Sequence, residues 1–391
     1  VNPPATRPAG IDTAPSEYAG FYSALYWWFE RMTTVPAPLQ EKMTLFWHGH
    51  FACSNVKVQT WAKMMDQNLL FRSLGVGSFR DLCLQASLSP AMLIYLDNIA
   101  NVAANPQENF ARELMELHTI GVGEFTESDV VAMTRAWTGH GQVGWNGTRM
   151  DFDYLFRPEQ HDNGLKTLFG ITRNWDAPDT IDELVLGVKR TACARFITRK
   201  LYRFFVAPQA PDAVVNALAT VFETSGMSIG ALLRAMFLHE SFWASENRFA
   251  LVRSPIEYVV NLIRVTGLHL ADAGLHFTLY GMGQVPFYPP NVDGWPHHEG
   301  WLSSSTLWAR ASFLQFVQWG TAGNGWWGNI QALGADAGID KVLLDLGLVD
   351  ASPATVSLLK AWFADFVTQH AWAAPADCLL MGCMTPEFQL A

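Results

Sequence analysis

Residues 107–129, QENFARELMELHTIGVGEFTESD, hold the densest set of groups in this chain that could do acid–base chemistry. Only 16% of all residues are charged, yet this segment carries Glu108, Arg112, Glu113, Glu116, Glu124, Glu127 and Asp129. On a helix, Asn109, Arg112, Glu113 and Glu116 fall at i, i+3, i+4 and i+7, which is one stripe. Glycoside cleavage needs a proton donor and a second carboxylate about 5–10 Å apart across the scissile bond. Burial against tryptophan raises one carboxyl pKa so that it can act as the acid. Glu113 and Glu116 are therefore the candidate acid/base and its partner, with Asp97 and Asp162 as substitutes. Arg112 and Asn109 would bind substrate beside them. The same spacing also fits an ordinary Arg112–Glu116 pair, and Asp129 fits a helix cap.

Histidines form the second set. His48 and His50 flank Gly49, and two imidazoles so spaced can share a metal only at a helix end or on extended backbone. In mid-helix they point about 160° apart. His161, followed by Asp162, could serve as acid/base or ligand. The sequence names no certain cofactor. A divalent metal on His48, His50 and His161, completed by a carboxylate, is the one cofactor these residues suggest. Otherwise His48, His50 and His161 would orient substrate. Trp295 and Trp301 bracket Pro-His-His-Glu-Gly and suit a sugar-binding rim. There is no Gly-x-Ser-x-Gly, phosphate-cradling glycine loop or His-Glu-x-x-His, so serine hydrolase, nucleotide and zincin chemistry lack support.

The elements that must position these groups are mostly helical. Aromatic or apolar periodicity marks helices over 16–33, 38–50, 56–73, 78–88 and 107–120. Ser89-Pro90 starts a short helix, with proline in its first turn. Thr126-x-x-Asp129 reads as a capping box, and Gly121 and Gly123 as the preceding stop. From 138 to about 175 glycine, asparagine and aromatic residues take over. Residues 151–156 alternate like a strand, and 166–170 are the expected partner in a small hairpin. Helices resume over 178–187, 190–206, 211–224, 228–239 and 255–267. Residues 284–302 form an irregular loop of the kind that is usually functional or mobile. The tail reads as helices near 304–318, 337–346, 352–369 and 374–381. The expected fold is mostly α, a large helical domain or two packed helical lobes with a small β-hairpin insertion. Residues 1–37 would be a Pro/Ala-rich lead and first helix, and 38–391 the helical domain.

Half of the 391 residues are hydrophobic, enough for a large core. Net charge is −10 with no run of Lys or Arg, which argues against a nucleic-acid partner. No apolar stretch is long enough to cross a bilayer. Sixteen tryptophans fit either an aromatic core or a groove that stacks on sugar rings. Five cysteines include no Cys-x-x-Cys pair, and Cys378 and Cys383 could bridge only if the backbone between them is not a regular helix. The opening VNPPATRPAGIDTAPS resembles the exposed lead-in after a removed export signal.

An ordered set of motifs carries a resemblance: FWHGHF at 46–51, LIYLDN at 93–98, QENFARELMELHTIGVGEFTESDV at 107–130, TRAWTG at 134–139, HDNGLKTLFG at 161–170, RSPIEYVV at 253–260, PPNVDGWP at 289–296 and PEFQL at 386–390. Together they resemble the bacterial domain-of-unknown-function family DUF1800 over roughly residues 38–391. The resemblance implies a mostly helical bacterial protein, often exported, and implies no activity. Relatives usually carry Asn where this chain has Gly49 and Gln107, and Trp where it has His140.

Three readings follow. The leading one is a secreted or cell-envelope enzyme that hydrolyses a carbohydrate polymer through paired carboxylates. The second is a metal-dependent enzyme on His48, His50 and His161. The third is a non-catalytic envelope or surface-assembly protein that self-associates as a homo-oligomer.

Overall fold

Proline and short hydroxyl side chains set many of the helix starts. Pro38 opens the helix Pro38–His50, and Ser89 caps Pro90–Tyr95 through the Met92 N–H. Thr126 and Asp129 close a reciprocal capping box at the start of Glu127–Ala136, as the sequence predicts. The computed structural model describes residue 2 and residues 5–142, 153–370 and 373–390. Trp145 and residues 151–152 of the expected strand lie outside that set. The chain is 65% helical, with twenty α-helices and two two-stranded sheets among the described residues. No described helix is long and apolar enough to cross a membrane.

Two expected elements divide. The helix expected over 56–73 is two pieces, Asn55–Val58 and Trp61–Leu74. Gln59 between them is left-handed at φ 55°. The hairpin expected from 151–156 and 166–170 is instead two separate sheets. Strand β1 (His140–Gln142) pairs antiparallel with β2 (Tyr154–Phe156), placing His140 opposite Phe156. Strand β3 (Lys166–Leu168) pairs with β4 (Ile171–Arg173). The turn between β3 and β4 is Phe169-Gly170, both at positive φ (49° and 80°). This is the backbone that tight two-residue hairpins favour. That local turn wins over the longer-range pairing.

The chain divides into two compact units, each discontinuous in sequence. The first comprises residues 1–24, 36–244 and 286–295. Its core includes Trp47, Trp137, Trp175, Phe51, Phe71, Phe79 and Phe110, all fully buried. The Trp47 indole donates to the Gly75 carbonyl (2.8 Å), so burial of this ring leaves no orphaned donor. The second unit comprises residues 25–35, 245–285 and 296–391. At its centre Arg310 is fully buried. The guanidinium donates to Gln389 Oε1 (2.8 Å) and to the Arg253 carbonyl (2.7 Å). Arg253 in turn donates to the Leu390 carbonyl. The RSPIEYVV and PEFQL motifs therefore meet in one structural network, which accounts for them without chemistry.

All five cysteines are reduced and buried. Cys378 and Cys383 do not bridge, because the helix Cys378–Met384 runs between them and turns their side chains apart.

Candidate functional site

The charged stretch forms an α-helical start, Asn109–Glu113, followed by a π-helical turn, Leu114–Thr119. Its wider turn is closed by the Ile120 N–H on the Met115 carbonyl (2.9 Å) and by Thr119 Oγ1 on the Leu114 carbonyl (2.6 Å). Such turns recur at functional sites. This one begins at Leu114, between Glu113 and Glu116 of the predicted stripe. The Arg112 guanidinium makes two bonds to the Glu127 carboxylate (2.9 and 2.7 Å) and lies 3.5 Å from Glu108. Asn109 donates to the Leu96 carbonyl. The hydrogen bonds of Arg112 and Asn109 thus go to groups other than Glu113 and Glu116.

Glu113 and Glu116 are both half-buried. Burial foremost, then the neighbouring Glu116, lifts the Glu113 carboxyl above the ordinary carboxylate range; Arg112 opposes this and Asp293 adds to it. Among the described residues no cation lies within ion-pair distance of Glu113.

Two separate elements approach the π turn. The helix Pro38–His50 ends as its Phe51 cap donates back to the Trp47 carbonyl. His48 and His50 diverge, as two residues on a helix must. His48 Nε2 accepts from the Phe287 N–H (3.0 Å) and packs between the Phe287 and Trp295 rings. His50 Nε2 donates to the His118 carbonyl (3.0 Å), which leaves Nδ1 as the acceptor facing the Lys200 ammonium at 3.5 Å. Burial pushes His48 and His118 down to about 3, with the Lys200 charge adding to the effect on His118. The Lys200 ammonium also donates to the Leu117 carbonyl (3.0 Å). Desolvation brings Lys200 down to about 8, Asp293 working against it and Arg203 with it.

The PPNVDGWP motif supplies Asp293. Its turn is tied by the Asp293 N–H on Asn291 Oδ1 (2.9 Å) and the Gly294 N–H on the Asn291 carbonyl (3.2 Å). Gly294 sits at φ 86°, and a Cβ there would lie 2.5 Å from the Gly49 carbonyl oxygen. The turn thus rests directly on the last turn of the His48/His50 helix, with Asp293 exposed and within electrostatic range of Glu113 and Lys200. Gly294→Ala is expected to cost about 1–3 kcal/mol through its left-handed backbone alone. The contact with Gly49 adds to that, and thermal denaturation checks it.

The site therefore gathers Glu113, Glu116, His50, His118, Lys200 and Asp293. Sequence reasoning missed Lys200 and Asp293. Asp293 lay within a quoted motif, whereas Lys200 had no signal beyond a basic residue on an amphipathic helix. The other candidates are held elsewhere. Asp97 is exposed, left-handed at φ 64°, and paired with Lys57 (2.7 Å). Asp162 is bound by the Arg135 fork (2.6 and 3.2 Å) and by the Gly164 N–H, and the Arg135 bond foremost lowers its pKa. Trp295 and Trp301 are only 6% and 4% exposed, so they are packed side chains and not an open rim. Asp129 caps its helix and accepts from the Phe169 N–H (2.7 Å).

One open cleft of about 730 Å³ lies along Glu124, Thr126, Asp129, Phe169 and Lys189. Its Lys189 lies 3.6 Å from Glu124, its Asp129 is taken up by the helix cap and the Phe169 N–H, and Glu113 does not line it. His161 is buried apart from His48 and His50. With His140 and Asp176 it forms the one trio of potential metal ligands among the described residues, donor atoms within 4.8 Å of one another.

Fold and site thus define a predominantly helical protein of two units, the first carrying a partly buried acid–base cluster. The chain belongs to the family described as "Protein of unknown function (DUF1800)", whose model matches residues 12–390. No curated protein matches the chain, and no solved structure does.

Proposed function

We propose that this chain is an exported enzyme that hydrolyses a glycosidic bond in a carbohydrate polymer, with Glu113 as the proton donor. The observation that carries the reading is the state of Glu113. It is a half-buried carboxyl with no ion-pair partner among the described residues, raised in pKa, and beside two further carboxylates, Glu116 and Asp293. A carboxyl with a raised pKa keeps its proton to higher pH than an ordinary one and can deliver it to the leaving oxygen as the bond to the anomeric carbon breaks. The second carboxylate, Asp293 or Glu116, then faces the developing positive charge, either directly or through an attacking water. Lys200 and Asp293 lie within electrostatic range of each other, the carboxylate working against the desolvation of the ammonium. Within the same unit Trp243, 74% exposed, offers an open face on which a sugar ring can stack. The family resemblance, to proteins often exported, supports the location.

The test is release of reducing ends from a panel of α- and β-linked polysaccharides over a range of pH. Turnover is expected to fall on the alkaline side as Glu113 loses its proton, above the pH at which an ordinary carboxylate titrates. Absence of turnover on every member of the panel removes the reading.

A further inference from the structure

A second cluster in the first unit is built from different elements and plays no part in the chemistry above. His140 begins strand β1, His161 follows the short 3-10 turn Pro158–Gln160, and Asp176 is the N-cap of the helix Ala177–Val185. Three local features bring them together. The Thr138 hydroxyl accepts from the Asp162 N–H (2.8 Å), fixing the backbone beside His161. The β1–β2 pairing sets His140 next to Phe156. The Trp137 indole donates to Thr180 Oγ1 (2.9 Å), tying the His140 segment to the helix that Asp176 caps.

Both imidazoles are anchored through Nδ1. His161 Nδ1 donates to the Thr138 carbonyl (2.8 Å), so its Nε2 carries the lone pair. His140 Nδ1 meets the Tyr154 hydroxyl (2.9 Å), and its Nε2 lies 2.9 Å from Asp176 Oδ1. A fixed Nδ1 partner that leaves Nε2 for the metal is the usual outer shell of a metal-binding histidine. His140 is 3% exposed and His161 9%, whereas the Asp176 side chain is 47% exposed. The cluster thus has a buried nitrogen floor and a carboxylate at its open edge.

The geometry points to a site for one divalent first-row transition ion, zinc foremost, bound by His140 Nε2, His161 Nε2 and the Asp176 carboxylate. Two nitrogens and one carboxylate suit zinc, iron, cobalt or nickel; magnesium and calcium prefer all-oxygen sets. Ligands at zinc lie about 3.3 Å apart for bonds near 2.05 Å at tetrahedral angles. The donor atoms here span no more than 4.8 Å, so small side-chain rotations close the set. On binding, the ion takes the place of the proton between His140 Nε2 and Asp176. That proton moves to Nδ1, where the Tyr154 oxygen can accept it. Three protein ligands leave the fourth position, on the exposed Asp176 side, for water or a ligand.

The experiment is calorimetric titration of chelator-treated full-length protein with Zn²⁺. Titration with Co²⁺ follows, its visible spectrum reporting nitrogen ligation and coordination number. One ion per chain is expected, with the intense bands of four-coordinate cobalt. Asp176→Asn, which retains a good N-cap residue, should weaken binding at least about tenfold, and His140→Gln should abolish it. Glu113→Gln should bind as the natural chain does, which separates this site from the proposed acid. Thermal denaturation with and without Zn²⁺ gives a second readout, since an ion that binds only the folded state raises the midpoint. Uptake well below one equivalent with no rise in midpoint overturns the assignment. So does equal uptake by both ligand variants.

Discussion

Glu113→Gln is expected to lower glycan turnover by about a hundred- to ten-thousandfold while the fold survives, the usual range for loss of a positioned general acid. Glutamine keeps the shape of the neutral carboxyl but cannot release a proton. A purely structural Glu113 would give the opposite pattern, with unchanged turnover and lowered stability. The pH dependence of stability sharpens the contrast. The Glu113 carboxyl sits above its ordinary 4.5 in the folded chain, through burial first and Glu116 second. The folded state therefore holds this proton more tightly than the unfolded state does. Its contribution to stability is fully present below 4.5 and is lost as pH rises through the raised folded value. The Gln variant never ionises and escapes that loss. Its thermal midpoint should match the natural chain at low pH and equal or exceed it near neutrality. A lower midpoint for the variant at neutral pH, with turnover intact, would remove Glu113 from the mechanism.

Arg72→Met is expected to destabilise the first unit by about 3–5 kcal/mol, the cost of leaving one member of a buried ion pair alone. Arg72 Nε and Nη2 bind the two Glu41 oxygens at 2.8 and 2.7 Å, and both side chains are 3% exposed. Arg72 Nη1 adds a bond to Asn68 Oδ1 (2.7 Å). The pair ties the helix Pro38–His50 to the helix Trp61–Leu74. Those elements also fix His50 beside the π turn. For a unit of this size the loss corresponds to a fall of roughly 6–20 °C in midpoint, read by calorimetry. Replacing Glu41 by Leu in the Arg72→Met background should recover much of it, because two apolar groups leave no buried charge.

What the sequence disclosed followed the range of the interactions involved. Pro38, Ser89-Pro90 and the Thr126/Asp129 box act within one turn of backbone, and their helices begin where those residues place them. The spacing of Asn109, Arg112, Glu113 and Glu116 could not disclose the π turn, because an α-helix and a π turn share the same residues up to Glu113. Glu127 and Glu108 then drew Arg112 away, a choice set by tertiary geometry. Asp293 joins Glu113 only because Gly294 allows its turn to lie on Gly49, a contact with no local signature. Lys200 looks like any basic residue on the helix Arg190–Phe205 until the fold sets it, half-buried, against His50. His140 stands out in the sequence only as a departure from the family pattern, and Asp176 not at all; one opens a strand and the other is a cap, so no helical or motif spacing links them. The tryptophans of the 284–302 loop misled for the converse reason. Flanking glycine and proline suggested display, but Trp295 lies against His48.

The discontinuity of the first unit has a consequence for how the protein is made. The segment 286–295, which brings Asp293 and the Phe287 N–H that His48 accepts, is separated from residue 244 by a stretch belonging to the other unit. A nascent chain that has emerged through residue 244 holds Glu113, His50 and Lys200 but lacks their last neighbour. The Phe287 N–H that His48 accepts arrives only with residue 287, and the turn that rests on Gly49 only with Gly294. Assembly of the acid–base cluster is therefore tied to late synthesis, whatever the order in which the earlier helices collapse. An expression strategy that cuts the chain at residue 244 would yield a body whose cluster lacks Asp293 and the loop that packs on His48.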